Sequence, residues 1–147
     1  MIRKLLTVSL ATLALSATSS AQNANVVLRN AGTNPICYQN TNLPVLGTTF
    51  QATVDITGDL MNWGAWIVGY DAPLNGIPTS FGALLIDPTT SLQVFEARFG
   101  FDQVHTFDLD VPSDVSFAGR TVYTQAVIQN LQSGLTLCNA LDLTLGF

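Results

Sequence analysis

The sequence predicts an all-β protein folded as an antiparallel β-sandwich, and three observations support this prediction. Several segments alternate apolar and polar residues with a period of two, which is typical of half-buried strands. Turn-forming pairs such as Asn75-Gly76, Asp87-Pro88 and Ala118-Gly119 separate these segments at short intervals. Lys and Glu, which favour helices, are scarce, whereas Thr, Val and Phe are plentiful.

The alternation is clearest in three segments, "TFQATVDI", "VHTFDLDV" and "LDLTLGF". The residues expected to share the apolar face are Phe50, Ala52, Val54 and Ile56 in the first, His105, Phe107, Leu109 and Val111 in the second, and Leu141, Leu143, Leu145 and Phe147 in the third. Because the third segment alternates in the same way, we interpret it as a core strand.

Further strands are expected in "NVVLR", "ICYQ", "WGAWIVGYD", "GALLID", "LQVFEARF" and "RTVYTQAVIQN", with a short helical turn near 113–118. About nine strands at this spacing predict a sandwich of the immunoglobulin-like or jelly-roll-like type. "WGAWIVGY" is apolar in both phases, as expected of a central strand. We expect Trp66 and Tyr70 to face inwards and Trp63, near the strand end, to be more exposed.

The first 21 residues have the pattern of a secretory signal peptide: Arg3 and Lys4, an apolar run from Leu5 to Leu15, and small residues before Gln22. The apolar run is shorter than the roughly 20 residues that span a bilayer. We therefore expect a single domain over 22–147, secreted or held at the cell surface, with no membrane insertion after signal cleavage.

The charge balance is acidic. The formal net charge is −5, and removal of the two basic residues of the leader would make it −7. No lysine would then remain beside Arg29, Arg98 and Arg120. Binding to nucleic acid depends on cationic side chains that displace counterions, so nucleic acid is excluded as an expected partner.

The two cysteines, Cys37 and Cys138, predict a disulfide, because a pair of cysteines in an exported protein is more often bridged than catalytic or metal-binding. Such a bridge would join the second predicted strand to the last one. It would close a long loop, which is the case in which a disulfide stabilises most.

Aromatic residues provide the candidate ligand-binding site. Trp63 is the residue best placed to stack on a sugar ring, with Phe81 as a second aromatic and Asn62 or Asp71 as hydrogen-bonding groups. The alternative is that these aromatics belong to the core, as they commonly do in β-sandwiches.

Acidic residues provide two further candidates. Asp108, Asp110 and Asp114 could supply oxygen ligands to calcium, although their spacing matches no EF-hand loop. Asp108 and Asp110 should leave one face of a strand about 6.5 to 7 Å apart, a separation used by inverting glycosidases. His105, the single histidine, would be the base in such a hydrolase; the alternative is a structural histidine in the core.

Five segments, "LRNAGTNPICYQ", "LPVLGTTFQATVDI", "GYDAPL", "VPSDVSFAGRTVYTQAVI" and "LCNALDLTLGF", resemble an exported β-rich domain family of planctomycete-type bacteria. The resemblance covers nearly all of 22–147 and implies a self-contained domain, but it implies no reaction, ligand or catalytic residue. In that family small residues stand where this chain has Cys37 and Cys138, which implies a bridge particular to this sequence.

The sequence therefore supports three hypotheses. The first is a secreted, non-enzymatic structural or interaction module with no cofactor, whose partner is a surface protein or another copy of itself. The second is a carbohydrate-binding module that uses exposed aromatics near Trp63. The third is a small carboxylate-dependent hydrolase, and no common catalytic or nucleotide-binding motif supports it.

Overall fold

The computed structural model describes residues 22–30 and 32–147, so the predicted signal peptide lies outside the described residues. Within these ranges the chain is all-β, as predicted, with one short 3-10 helix, η1 (Val115–Phe117), and no α-helix. The strands are β1 (Asn25–Arg29), β2 (Tyr38–Asn40), β3 (Thr49–Asp55), β4 (Asn62–Tyr70), β5 (Pro73–Thr79), β6 (Gly82–Ile86), β7 (Leu92–Phe99), β8 (Val104–Asp110), β9 (Thr121–Asn130) and β10 (Gly134–Thr144).

Two antiparallel sheets enclose the core. A five-stranded sheet has the order β1-β10-β9-β4-β7, and a three-stranded sheet has the order β2-β3-β8. Their facing side chains form one apolar cluster, to which Phe50 and Phe107 contribute from the smaller sheet and Ile67 and Leu141 from the larger. The prediction of a β-sandwich is thus confirmed. A third unit, the β5–β6 hairpin, is a separate two-stranded sheet.

The clearest alternating segments form strands in the predicted phase. In β3 and β8 the apolar positions are covered by the facing sheet and the polar positions are exposed. In the last segment Leu141, Leu143 and Leu145 are buried as predicted. Phe147 is an exception, because β10 ends at Thr144 and the Phe147 side chain is exposed.

The phase expected for β4 is wrong. Ala65 and Ile67 face the core, whereas Trp66 and Tyr70 are half-buried on the opposite, outer face of the five-stranded sheet. The reason is space: at Gly69 an added Cβ would meet side-chain atoms of neighbouring strands at 3.0 to 3.2 Å. Side chains of the flanking strands β9 and β7 thus crowd the inner face of β4, which holds Ala65, Ile67 and Gly69, while the large rings lie on the outer face.

A β-bulge in β10 places two residues where they bond to the segment that enters β2 of the smaller sheet. Between Leu137 and Ala140 the register with β9 shifts, so that Cys138 and Asn139 are both fully buried. Cys138 forms the predicted disulfide with Cys37, with 5.8 Å between the Cα atoms. The Asn139 side chain accepts hydrogen bonds from the backbone N–H groups of Cys37 and Tyr38 and donates to the Tyr38 carbonyl.

The β5–β6 hairpin covers part of the outer face of the five-stranded sheet through buried amides. Gln125 of β9 accepts from the Leu85 N–H and donates to the carbonyls of Ala83 and Cys138. Asn34 makes a similar set of bonds to Ala83 and Cys138. Side-chain amides thus form hydrogen bonds with the backbone N–H and C=O groups of β6 that no neighbouring strand bonds to.

The segment around Asn75 and Gly76, expected to be a turn, lies inside β5. The pairing with β6 is interrupted between Pro73 and Ile77, and Gly76 has a φ of +91°. Glycine adopts this left-handed conformation without a steric penalty, so the Asn-Gly pair forms an irregularity within a strand rather than a turn between strands.

Arg29 fastens the hairpin to the edge strand β1. Its Nε contacts both carboxylate oxygens of Asp142 at 2.7 Å, and its terminal nitrogens donate to the carbonyls of Leu74 and Leu85 at 3.0 Å. Burial raises the pKa of Asp142, and the bond to Arg29 opposes that shift. The pair therefore positions the hairpin, while part of its Coulombic gain is offset by desolvation.

Candidate functional site

The outer face of the five-stranded sheet is covered by the hairpin near β9 and β10 but is open at β4 and β7. Four aromatic residues of these two strands, here called the aromatic strip, line the open part: Trp63, Trp66, Phe95 and Phe99. Phe95 is 58% exposed and Phe99 is 55% exposed. Large apolar side chains clustered on one surface indicate an interaction site more often than the same residues scattered singly.

The strip consists of two Trp-Phe pairs. Trp63 stacks on Phe99 with 5.0 Å between ring centroids and 27° between planes, and Trp66 lies tilted against Phe95 at 6.4 Å. Gly64 makes the first pair feasible, because a Cβ there would lie 2.7 Å from the Phe99 ring. Both indole Nε1 atoms are buried and have no hydrogen-bond partner in the described part of the chain. The strip therefore presents apolar ring surface rather than indole N–H donors.

Strand β7 forms one edge of the sheet beside the strip. Within residues 22–30 and 32–147 it pairs with β4 alone, so no strand pairs with its other backbone edge, where the Ala97 carbonyl accepts from Arg98 Nη1 at 3.1 Å. Its opposite face carries an ion pair, with Arg98 Nη1 2.9 Å from Glu96 Oε2. The Arg98 guanidinium also lies 5.5 Å from the centroid of the Phe107 ring. Strand β7 is thus aromatic on one face and charged on the other.

The four candidate ligand-binding residues do not gather at one place. Asn62 and Trp63 are adjacent at the start of β4, whereas Asp71 follows its far end, about 30 Å away at the usual rise of a strand. Asp71 is already bonded to Arg120 and Gln93 at 2.7 and 3.0 Å.

The surroundings of Phe81 and Asn62 also bear on ligand binding. Phe81 lies in the turn of the β5–β6 hairpin and is partly exposed. The amide group of Asn62 bonds to Ile56 and Asn130 within the protein.

The acidic candidates occupy two elements. Asp108 and Asp110 are exposed on β8, where Asp108 accepts from Gln51 at 2.8 Å. Asp114 caps η1, and the hydrogen bond from the backbone N–H of Ser116 holds the pKa of Asp114 below its usual value. In the part of the chain that the structure describes, no three His, Cys, Asp or Glu side chains are grouped so that they could hold a metal ion. Calcium binding stays a prediction.

His105 lies on the other face of β8. It is only 5% exposed, and strand alternation directs it into the sandwich while Asp108 and Asp110 point to solvent. The three groups of the hydrolase hypothesis therefore do not converge on one volume.

Two of the clefts at the margins of the sandwich contain the candidate residues Asp110 and Asn62. One, of about 160 Å³, is mostly apolar and opens between the sheets, with Asp110 and Arg120 among its lining residues. The other, of about 330 Å³, lies beside Cys37 and is lined by Asp55, Asp59 and other polar groups. Neither lining includes the single histidine or a free thiol.

No protein-family model matches this chain, and neither a curated protein nor a solved structure is significantly similar to it. The resemblance to an exported domain family therefore stays a prediction. In the described ranges no helix is long and apolar enough to cross a membrane.

Phe95 and Phe99 are not among the binding residues that the sequence predicts. A signal was present in "LQVFEARF", where aromatic residues occupy one phase and a Glu and an Arg occupy the other. What the sequence lacked was the position of this strand, because an edge strand and a central strand can share such a pattern.

Proposed function

We propose that this protein is a non-catalytic structural module that assembles through the aromatic strip and the free edge of β7. The observation that carries the proposal is the combination of exposed Phe95 and Phe99 with an unpaired strand edge beside them. Exposed apolar rings supply area to bury, and a free edge supplies backbone donors and acceptors, so the two features together suit β-strand addition.

Edge strands of soluble proteins usually carry features that prevent pairing, such as lysine, proline, short length or charges. Strand β7 is eight residues long and contains neither lysine nor proline. The other edges of the two larger sheets differ: β2 has three residues, β1 has five, and β8 carries two charges of the same sign, Asp108 and Asp110, whereas the charges of β7, Glu96 and Arg98, are opposite and bonded to each other. This comparison favours β7 as the assembling edge.

The setting that we propose is outside the cell, at its surface or in the extracellular matrix. A disulfide with buried sulfur-bearing residues fits an oxidising compartment. The separation of His105 from Asp108 and Asp110 across the two faces of β8 supports a non-catalytic role.

Light scattering over a concentration series tests the assembly. We expect the exported protein, purified with its disulfide intact, to associate as its concentration rises. The double variant Phe95→Ser and Phe99→Ser should weaken association about a hundredfold, since it removes most of the exposed ring area on β7.

The matched control is the double variant Leu43→Ser and Ile77→Ser, which removes two similarly exposed apolar side chains far from β7 in sequence. It should associate like the unmodified protein. A protein that remains monomeric at every concentration would overturn the assembly function. Repeating the series with calcium and with a chelator tests the acidic candidate site at the same time.

Polysaccharide binding is a second candidate, because Trp63 and Trp66 lie in the same strand on the open part of the sheet. Aromatic rings at such a surface can stack on sugar rings. If this function holds, Trp63→Ala should lose retention on insoluble cellulose or chitin, whereas Phe81→Ala, on the hairpin turn, should retain it. Equal retention by Trp63→Ala and the unmodified protein would remove this candidate.

A further inference from the structure

The hydrogen bonds of β4 and β7 determine which backbone groups of β7 are free. Gly64 lies opposite Phe99, and the N–H of Gly100 donates to the Trp63 carbonyl at 2.6 Å. In an antiparallel ladder this pattern identifies Gly64 and Phe99 as a pair that does not bond to each other. Every second residue from Phe99, including Ala97 and Phe95, therefore directs its N–H and C=O away from β4, towards the free edge.

We propose that the partner at this edge is a second copy of the chain, paired antiparallel to β7 about a two-fold axis at Ala97. This inference rests on the proposed assembly function and specifies its partner and register. In this arrangement Phe95 faces Phe99 of the second copy, and Glu96 faces Arg98 of the second copy. The outward N–H and C=O groups of Phe95, Ala97 and Phe99 then meet their counterparts directly, once the Arg98 guanidinium, which donates to the Ala97 carbonyl at 3.1 Å in the single chain, turns to Glu96 of the second copy.

Charge complementarity selects this register. An axis at Glu96 would place the two glutamates opposite each other, and an axis at Arg98 would do the same for the two arginines. Like charges directly opposite each other across a sheet are destabilising. An axis at Phe95 leaves Glu96 opposite Val94. Among these registers only the axis at Ala97 gives each charge an opposite partner.

Glu96 and Arg98 of the second copy would also lie close together. Ala97 bonds through its backbone to Ala97 of the second copy, so the neighbouring pair, Glu96 and Arg98 of the second copy, has no backbone hydrogen bonds between its members. The Cα atoms of such a pair approach to about 4.5 Å. Glu96 and Arg98 of one chain are already 2.9 Å apart, so the dimer would join four charges into one network. On the outer face, the facing phenylalanines would join the two aromatic strips.

Apolar side chains also lie at the two ends of β7. Leu92 at its start and Phe101 just after its end are both exposed in the single chain. The strand ends at Phe99 and Gly100 has a φ of +143°, so the proposed backbone pairing is confined to β7 itself.

Variants that reverse the charge of Glu96 or Arg98 test the register. Glu96→Arg alone, or Arg98→Glu alone, places like charges opposite each other at two positions, and we expect the dimer to weaken about tenfold. An equimolar mixture of the two variants should associate as tightly as the unmodified protein, and so should the double variant Glu96→Arg with Arg98→Glu. Thr106→Arg, which adds a charge to the exposed side of β8, is the control and should leave the dimer intact.

A second readout locates the axis. Ala97→Cys should give a covalent dimer with a short thiol-specific crosslinker, whereas Asn75→Cys, exposed on the hairpin, should not. Circular dichroism and thermal unfolding of each variant establish that it folds.

The outcomes separate the two proposals. If the protein associates and the Phe95→Ser and Phe99→Ser variant does not, but the charge mixture fails to restore association, the register is wrong and the assembly function stands. If position 97 does not crosslink in an associating protein, the register is also overturned. If the unmodified protein never associates, both proposals fall.

Discussion

Replacing Asn139 by alanine is expected to lower the free energy of unfolding by about 4 kcal/mol. The Asn139 amide is fully buried and serves three backbone groups of the segment that enters β2, at distances of 2.9 to 3.1 Å. Alanine would leave two N–H groups and one carbonyl without partners in a place that water does not reach. Each such group costs about 1 to 3 kcal/mol, and partial relaxation reduces the sum.

Urea unfolding followed by circular dichroism measures this loss. Asn75→Ala is the matched control, because Asn75 is exposed and a surface substitution of this kind changes stability by about 0.5 kcal/mol or less. A loss below about 1 kcal/mol for Asn139→Ala would show that the Cys37–Tyr38 segment finds other hydrogen-bond partners.

Reduction of the Cys37–Cys138 disulfide is expected to lower the free energy of unfolding by about 2 to 4 kcal/mol. The bridge closes a loop with a sequence separation of 101, so it removes a large part of the conformational freedom of the unfolded chain. The native contacts around it, including the Asn139 bonds, remain in the reduced protein.

The measurement is urea unfolding of the unmodified protein with and without a reducing agent. The double variant Cys37→Ala and Cys138→Ala is the control, and its stability should not depend on the reductant. Equal stability of the oxidised and reduced forms would mean that the unfolded chain is already restricted near these residues.

The sequence was sufficient for the fold class because the evidence for it is local. In β3, and in β8 apart from His105, every second side chain is apolar, and each strand faces a core on one side and water on the other. Such a strand has one energetically acceptable phase, since a slip of one residue would expose its apolar side chains. The disulfide could be predicted for a similar reason, as only two cysteines are present.

Features that depend on tertiary packing could not be predicted from the sequence. Strand β4 is apolar in both phases, so its orientation is decided by which side chains fit between the sheets, and Ala65 and Ile67 fit where Trp66 does not. The bulge at Cys138 and Asn139 also has no local sequence pattern. It arises where β10 pairs with β9 in one sheet and bonds to the segment that enters β2 of the other sheet.

The candidate site was predicted only in part for the same reason. Trp63 could be singled out as an aromatic residue near a strand end, and the structure places it on the open part of the sheet. Its partner Phe99 lies far along the chain and reaches it only through the pairing of β4 with β7. Long-range pairing of this kind is not encoded in any short window of sequence.

The central position of β10 determines when this fold can form during synthesis. Strand β1 finds its partners at residues 140–144, although more than a hundred residues separate them. Until β10 has left the ribosome, β1 and β9 lack the strand that lies between them, and Cys37 lacks its bridge partner. A nascent chain that ends before β10 therefore cannot complete the five-stranded sheet, so we expect the fold to form only after the last strand has been synthesised.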